Sequence, residues 1–323
     1  MKFYLAPLEG ITGFIYRNAY EKTFHNVDKY FTPFIVPNQH KKFKTKELKD
    51  IMPEHNEGMY VVPQILTKSA EQFIDTAMQL KNLGYDEINL NLGCPSGTVV
   101  SKGKGSGFLA FRDELDKFLE EIFTQVKDMK ISIKTRLGKD EPEEFYELIK
   151  IFNKYPLEEL IIHARTQKDF YKNKPNLKVY RDAMALSTNK LCYNGDIFNA
   201  ADYERFIKEF PDVDTIMLAR GVISNPALLS EIKGEINLTK ELLINFLDDI
   251  LENYMIDMRN DERIVLFKMK EIWSYMIWQF SDHKKHFIKI RKSQTLKEYK
   301  EAVASLFAEQ KLVKGARLFE ERI

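Results

Sequence analysis

The chain alternates short apolar runs with longer segments in which apolar residues recur at helical spacing. Eight apolar runs each end in a polar or reactive residue, and they span residues 3–8, 30–36, 60–66, 87–93, 131–137, 160–164, 190–194 and 215–219. This strand–helix alternation predicts a parallel (β/α)8 TIM barrel, a fold whose chemistry gathers at the carboxyl ends of the strands. At or just past those ends lie Pro7, Gln64, Cys94, Lys134, His163, Asn194 and Arg220.

Helices are predicted between the runs, over residues 69–82, 115–126, 142–153 and 200–210. Ser69 and Gln72 have the spacing of a capping box, Gly84 that of a C-terminal glycine, and Pro142 that of a first-turn proline.

The pattern changes after residue 226, where only helical periodicity remains, over residues 242–258, 265–279 and 296–309. We therefore predict a barrel domain over residues 1–233, a linker at 234–238 and a helical domain over 239–323. A barrel alone needs about 250 residues, which leaves part of this chain for a second unit.

Composition narrows the class of protein. The net charge of +1 gives no overall basic field, but residues 284–300 hold seven Lys or Arg and one acid. Two cysteines do not make a disulfide framework, so a cytoplasmic setting is expected. There is no apolar run of about 18 residues, and the first ten residues lack a signal core, so we expect neither a membrane span nor secretion.

The segment Asn89-Leu-Asn-Leu-Gly-Cys-Pro-Ser96 is the most specific chemical motif. A cysteine after a strand and before a proline is placed on the barrel rim, among polar neighbours. A buried small hydrophobe is the alternative for a lone cysteine. The spacing does not decide between a nucleophile and a proton donor. The glycine-rich segment 103–107 that follows fits either a mobile lid over Cys94 or a plain flexible loop.

Two neighbouring strands each carry two basic residues that are separated by one position. Lys134 and Arg136 share one side of their strand, and an anionic ligand or a carboxylate would offset the cost of burying them. His163 and Arg165 repeat the spacing on the next strand. The last two strands end in Asn194-Gly-Asp196 and Ala219-Arg-Gly221, where barrels often bind phosphate. No His, Cys, Asp or Glu cluster has metal-ligand spacing, so we expect no metal.

Taken together, these motifs resemble those of the tRNA-dihydrouridine synthases. The resemblance rests on Ala6-Pro-Leu-Glu-Gly-Ile-Thr12, the Cys94 segment, Lys134-Thr-Arg-Leu-Gly138, Ile162-His-Ala-Arg-Thr166, Asn194-Gly-Asp-Ile197 and Ala219-Arg-Gly221, in the order of that family. The chain departs from the family at Leu8, where Met is usual, and at Ala219, where Gly is usual. The segment Cys94-Pro-Ser-Gly-Thr-Val-Val-Ser101, with the glycine-rich residues that follow it, most resembles the bacterial C-type branch.

The resemblance implies an FMN-dependent oxidoreductase that reduces uridines in tRNA to 5,6-dihydrouridine, with NADPH as the electron source. Cys94 would protonate C5 of the base. The residues that would bind the cofactor are Pro7, Leu8, Glu9, Gln64, Lys134, His163, Asn194, Gly195, Asp196, Ala219 and Arg220. The residues that would contact the uridine or the tRNA are Asn91, Arg165, Tyr171, Lys284, Lys285, Lys289, Arg291 and Lys292. The partner implied is tRNA, and no obligate protein partner is implied.

Two other functions share parts of this pattern. A flavin barrel acting on a free pyrimidine, such as a dihydroorotate dehydrogenase-like enzyme, would have the phosphate motifs but would not need the helical tail. A non-catalytic tRNA-binding protein would not need Cys94 together with Lys134.

Overall fold

The computed structural model describes residues 1–40 and 42–317, and its centre is one parallel sheet. The strands are β1 (Lys2–Leu5), β2 (Lys29–Phe31), β3 (Val61–Val62), β4 (Gln64–Ile65), β5 (Glu87–Leu92), β6 (Lys130–Gly138), β7 (Leu160–Thr166), β8 (Leu191–Asn194) and β9 (Thr215–Leu218). Their order in the sheet is β3-β2-β1-β9-β8-β7-β6-β5-β4.

Pro63 divides one predicted strand into β3 and β4, and this strand closes the sheet into a barrel. Val61 pairs with Tyr30 of β2, whereas Gln64 pairs with Asn89 of β5. Proline has no N–H to donate, which explains the break, but its carbonyl still accepts the Asn89 N–H at 2.9 Å. The predicted (β/α)8 barrel is therefore confirmed.

Helices connect the strands and continue beyond them. The α-helices are α1 (Phe14–Phe24), α2 (Thr45–Ile51), α3 (Ala70–Asn82), α4 (Gly97–Val100), α5 (Arg112–Gln125), α6 (Phe145–Phe152), α7 (Leu177–Leu186), α8 (Ala200–Glu209), α9 (Arg220–Ser224), α10 (Leu228–Lys233), α11 (Lys240–Asp257), α12 (Glu262–Met276), α13 (Lys284–Lys292) and α14 (Leu296–Glu309). Short 3-10 helices span Pro53–His55, Gly105–Ala110, Pro142–Glu144 and Ile277–Gln279.

Helix α3 shows how local sequence sets its ends. The Ser69 side chain accepts the Gln72 N–H at 3.3 Å, as an N-cap residue does. The capping box is incomplete, because the Gln72 side chain accepts a bond from Thr67 Oγ1 at 3.0 Å instead of returning to Ser69. At the other end Gly84 adopts φ +93°, the left-handed conformation that glycine permits.

The chain divides into two compact units. The first contains residues 1–7, 28–196 and 213–217, and with them the sheet. The second contains residues 8–27, 197–212 and the chain from 218 onward. Within the second unit the ring of Tyr16 on α1 meets that of Phe246 on α11 edge to face, with centroids 5.6 Å apart. Gln279 donates to Ser224 at 3.1 Å.

The C-terminal helical region is confirmed, and α13 is an addition to it. Helix α14 matches the predicted residues 296–309, whereas α13 lies in the basic stretch for which no helix boundary was predicted. The domain boundary at residues 233–239 stays a prediction. None of the helices in the described part of the chain is both long enough and apolar enough to cross a bilayer.

A cluster of charges is buried at the amino ends of the strands, opposite the end where the motifs lie. Lys29 Nζ lies 2.8 Å from Glu87 Oε2, and the Tyr4 hydroxyl donates to Glu159 Oε1 at 3.1 Å. Burial raises the pKa of Glu159 to about 7, and the neighbouring Glu87 adds to the effect. Two carboxylates thus face one lysine, so a proton held by Glu159 is favourable.

We expect Glu159→Gln to flatten the dependence of stability on pH. The folded protein holds a proton on Glu159 that the unfolded chain releases near its ordinary pKa of 4.5. The free energy of unfolding therefore falls as pH rises from about 4.5 to 7, by roughly 1–3 kcal/mol, and glutamine removes this fall. Urea denaturation across this pH range measures it.

The matched control is Glu87→Gln, which removes the carboxylate 2.8 Å from Lys29 but keeps Glu159, so it should destabilise the protein while the fall of stability with pH persists. A pH profile for Glu159→Gln identical to that of the parent protein would contradict the assignment.

Candidate active site

The carboxyl ends of the strands in the first unit bring together the predicted reactive residues. Cys94 follows β5, Lys134 lies on β6, His163 on β7 and Asn194 ends β8. Because all these strands are parallel, their carboxyl ends open at the same end of the barrel.

Cys94 lies on a turn that Asn91 holds in place. The Asn91 side-chain oxygen accepts the N–H groups of Gly93 and Cys94, at 3.0 and 2.9 Å. Cys94 is partly exposed, whereas the other cysteine, Cys192, is completely buried. The cysteine predicted to be chemical is therefore the one that a ligand can reach.

A row of amides connects this turn to the barrel wall. Asn91 Nδ2 donates to Gln64 Oε1 at 2.7 Å, and Gln64 Nε2 donates to Asn89 Oδ1 at 2.8 Å. Asn89 Nδ2 donates in turn to Ser132 Oγ at 3.0 Å. These buried bonds fix the orientation of each amide. They give Asn91 a structural task beside its predicted contact with the base, which stays a prediction.

The glycine-rich segment leads into the 3-10 helix Gly105–Ala110, which packs against Cys94, and both the mobile lid and the flexible loop stay predictions. Residues Gly105–Leu109 are buried, and the Ser106 N–H and hydroxyl both donate to the Cys94 carbonyl, at 3.1 and 2.8 Å. A Cβ at Gly105 would lie 2.8 Å from that carbonyl oxygen, and φ at Gly105 is +57°. The glycines allow the chain to pack directly against Cys94. Ser106 was missed from the sequence, because nothing in its local pattern indicates a long-range contact.

Lys134 is a partly buried cation with a neutral partner. Its Nζ donates to Asn194 Oδ1 at 2.8 Å, and Asn194 Nδ2 donates to the Met217 carbonyl at 2.8 Å. Removal from water, with a contribution from Arg136, lowers the pKa of Lys134 to about 7. No carboxylate in the described part of the chain forms an ion pair with it. The site therefore favours a ligand with negative charge at this point.

Arg136 donates to backbone carbonyls and to no carboxylate of the residues that the structure describes. Its guanidinium donates to the carbonyls of Gly93, Thr166 and Phe170, at 2.9, 2.7 and 2.9 Å. Backbone carbonyls thus take the place of the expected carboxylate, and an anionic ligand for Arg136 stays a prediction. Arg136 is 1% exposed, and it ties the Cys94 turn to the loop after β7.

His163 and Asp196 are both held by Arg165. Arg165 Nη1 lies 3.0 Å from His163 Nε2 and 3.1 Å from Asp196 Oδ1, and Nη2 pairs with Asp196 Oδ2. Since arginine only donates, Nε2 of His163 is the acceptor and Nδ1 carries the proton. Arg165 is 1% exposed, which favours a positioning role over direct contact with tRNA. Tyr171 is 52% exposed beside the site, its ring centre 6.0 Å from that of His163.

The remaining predicted cofactor residues fall in two groups. Pro7, Gly195 and Asp196 belong to the first unit, whereas Leu8, Glu9, Ala219 and Arg220 belong to the second. A Cβ at Gly195 would lie 2.0 Å from the Tyr193 hydroxyl, so any other residue there would require the Tyr193 ring to move.

In the second unit the Arg220 guanidinium lies 5.4 Å from the centre of the Phe198 ring. A Cβ at the next residue, Gly221, would lie 2.1 Å from the Ile197 carbonyl oxygen, so this turn requires glycine.

The predicted tRNA-binding cations lie on one helix of the second unit. Lys284, Lys285, Lys289, Arg291 and Lys292 are all exposed on α13, while His286 and Ile290 anchor its buried face. The Arg291 guanidinium lies 5.6 Å from the centre of the Phe287 ring. Their role stays a prediction.

Comparison with known proteins identifies the family. The model of the dihydrouridine synthase family matches residues 4–320. A probable tRNA-dihydrouridine synthase of Staphylococcus aureus strain COL is 30% identical over 251 residues, covering 75% of this chain and 74% of the relative. Probable tRNA-dihydrouridine synthase 2 of Bacillus subtilis strain 168 is 27% identical over 248 residues, with the same coverage of 75% and 74%.

Among solved structures, the old yellow enzyme homologue from Zymomonas mobilis matches with a TM-score of 0.53 and 10% identity, covering 76% of this chain and 92% of that chain. At this identity the likeness shows a common fold. The family match extends over almost the whole sequence, and the chain belongs to the dihydrouridine synthase family of enzymes.

Proposed function

We propose that this protein reduces specific uridines in tRNA to 5,6-dihydrouridine, with FMN as cofactor, NADPH as the electron source and the cytoplasm as its setting. The observation that carries the proposal is the pairing of a reachable thiol with a desolvated cation in one barrel mouth. Asn91, whose side-chain oxygen accepts the Cys94 N–H, is paired with Lys134 on the neighbouring strand. Besides a hydride donor, reduction of a uracil ring requires a proton donor and is assisted by a group that stabilises negative charge.

The residues present fit FMN. Lys134 offers positive charge without a carboxylate partner, as the N1 and O2 edge of a reduced flavin requires. Pro7, Leu8, Glu9, Gln64 and His163 would complete the surroundings of the ring. Asn194, Gly195, Asp196, Ala219 and Arg220 would hold the ribityl chain and phosphate. When bound in its reduced form, FMN supplies the hydride for C6 of the uracil.

The chain itself supplies the proton and the position of the base. A uridine in folded tRNA must be unstacked and turned into the barrel mouth before it can react. The Cys94 thiol then donates a proton to C5, and Asn91 and Ser106 fix the backbone that carries this thiol. Tyr171, exposed beside His163, is placed to contact the RNA.

We expect Lys134→Met to lower the reduction potential of the bound flavin. The ammonium stabilises the reduced, anionic ring more than the oxidised ring, so its loss should shift the potential on the order of tens of millivolts. Spectroscopic titration against a reference dye measures the shift.

The matched control is Lys139→Met, which removes a lysine just after the same strand. A potential equal to that of the parent, in Lys134→Met protein that retains FMN, would remove Lys134 from the flavin ring.

The α13 cations are expected to bind tRNA phosphates. Removing three of them as Lys285→Gln, Lys289→Gln and Lys292→Gln should weaken tRNA binding and reduce its salt dependence. The slope of log K against log salt should flatten by up to about 0.7–0.9 for each phosphate that the protein no longer neutralises. Filter binding over a range of salt concentrations gives the slope, and flavin content should not change.

The control variant removes three other lysines, Lys2, Lys127 and Lys130. These lysines are exposed at the amino ends of the strands. A solvated helix face is the alternative to a tRNA surface, and an unchanged slope in the α13 variant would support it.

Colour and substrate choice test the proposed function as a whole. A yellow protein with a flavin spectrum would exclude a tRNA-binding protein without catalysis. Oxidation of the reduced protein by unmodified tRNA, and not by uracil or orotate, would exclude an enzyme for free pyrimidines. Absence of flavin, or reactivity with the free pyrimidine alone, would refute the proposal.

A further inference from the structure

A group of lysines surrounds the glycine-rich segment that packs on Cys94. Lys68 follows β4, while Lys102 and Lys104 lie between α4 and the Gly105–Ala110 helix. Lys68 and Lys102 are exposed, and Lys104 is half-buried. We name these three lysines, together with Phe111, the rim cluster.

The charges of the rim cluster act on one another. Burial lowers the pKa of Lys104, and the charges of Lys102, Lys68 and Lys44 lower it further. In the part of the chain that the structure describes, none of Lys68, Lys102 and Lys104 forms an ion pair or a hydrogen bond through its ammonium group. Like charges gathered without carboxylates destabilise the free protein, so an anionic ligand gains by binding there.

An exposed aromatic ring lies within the same group. Phe111 is 46% exposed. A Cβ built on Gly103 would lie 3.4 Å from Lys68 Nζ and 3.7 Å from Cε2 of Phe111, so ammonium and ring flank the same glycine. Lysines beside an exposed ring are the combination with which proteins hold single-stranded nucleic acid, by phosphate contacts and base stacking.

The position of the rim cluster relates it to the reacting base. Lys104 directly precedes Gly105, which packs on the Cys94 carbonyl, and Ser106 donates to that carbonyl at 2.8 Å. The cluster therefore adjoins the segment that packs on the turn carrying the thiol. FMN needs no such surface, since its single phosphate requires neither three lysines nor a stacking ring.

We propose that the rim cluster binds the RNA strand next to the target uridine, with the lysines on backbone phosphates and Phe111 stacked on a neighbouring base. This rests on the proposed function, because it assigns a subsite to the same tRNA substrate. The cluster holds the strand while the uridine is turned toward Cys94, and it is separate in sequence from the cations of α13.

Two variants separate the electrostatic contribution from the stacking contribution. Lys68→Gln, Lys102→Gln and Lys104→Gln together should make the slope of log K against log salt shallower by about 2 for unmodified tRNA, and should weaken binding roughly tenfold or more at 0.1 M salt. Phe111→Leu should weaken binding roughly five- to a hundredfold with the slope unchanged, and Phe111→Tyr should retain parent affinity. The Lys2, Lys127 and Lys130 triple variant should bind as the parent does.

The heat stability and flavin content of the protein without tRNA provide an independent test. Relief of like-charge repulsion should leave the rim variant at least as heat-stable as the parent, with full flavin content. An unchanged salt slope, or an equal reduction of slope in the control triple variant, would overturn the proposal. A loss of flavin with tRNA binding intact would also overturn it, because the cluster would then serve the cofactor. Failure of the parent protein to form dihydrouridine would refute the proposed function, whereas these binding results would still stand.

Discussion

Replacing Cys94 with alanine is expected to slow oxidation of the reduced flavin by unmodified tRNA about 10²–10⁴-fold, the usual contribution of a positioned general acid. The hydride that the cofactor would deliver to C6 would leave negative charge on C5 and O4 of the uracil, and the thiol would supply the proton that neutralises it. The variant should keep its flavin, its affinity for tRNA and its oxidation of NADPH. Stopped-flow absorbance of the flavin, under anaerobic conditions, measures the rate.

Cys192→Ala is the matched control for this experiment. Cys192 is completely buried, and burial raises its pKa well above the ordinary value, so its removal should leave the oxidation rate near that of the parent. Cys94→Ser should retain a little activity, because a hydroxyl transfers a proton poorly. Oxidation of Cys94→Ala at the parent rate would place the proton donor elsewhere.

Replacing Arg220 with alanine is expected to release most of the flavin during purification. A charge-assisted, two-pronged contact with a phosphate contributes about 1.5–3 kcal/mol, which corresponds to roughly 10- to 150-fold in affinity. Isothermal titration with FMN gives the affinity, and riboflavin, which lacks the phosphate, should bind the parent and the variant equally.

Arg205→Ala controls for the loss of an arginine from the same unit. Arg205 pairs with Asp202 and is 66% exposed, so its removal should leave FMN affinity unchanged. If Arg220→Ala binds FMN as tightly as the parent does, Arg220 is not a phosphate ligand.

The barrel could be predicted because its signals are local. Each strand is an apolar run, and caps such as Ser69 and Gly84 mark helix ends whatever the rest of the chain does. The same holds for Cys94, whose place between a strand and a proline already indicated a rim position. The break at Pro63 was also readable in principle, since proline cannot donate a ladder hydrogen bond.

The features of the site that could not be predicted from the sequence depend on contacts between residues far apart in the chain. The sequence shows that Arg136 is a cation, but it does not show the partners of this cation. In the fold three carbonyls accept its hydrogen bonds, and one of them is 43 positions away. The segment around Gly105 has the composition of a flexible loop, yet it is buried because Cys94 and Val99 lie against it. Arg165 was predicted to contact the uridine or the tRNA, and only the fold shows that it pairs with Asp196.

One measurement tests the central claim most directly. The protein is reduced without oxygen, mixed with unmodified tRNA in a single turnover, and the oxidised flavin and the dihydrouridine formed are counted in the same sample. The account predicts one dihydrouridine for each flavin oxidised, at one or a few positions of the tRNA. Flavin that stays reduced, or is oxidised without forming dihydrouridine, would contradict it.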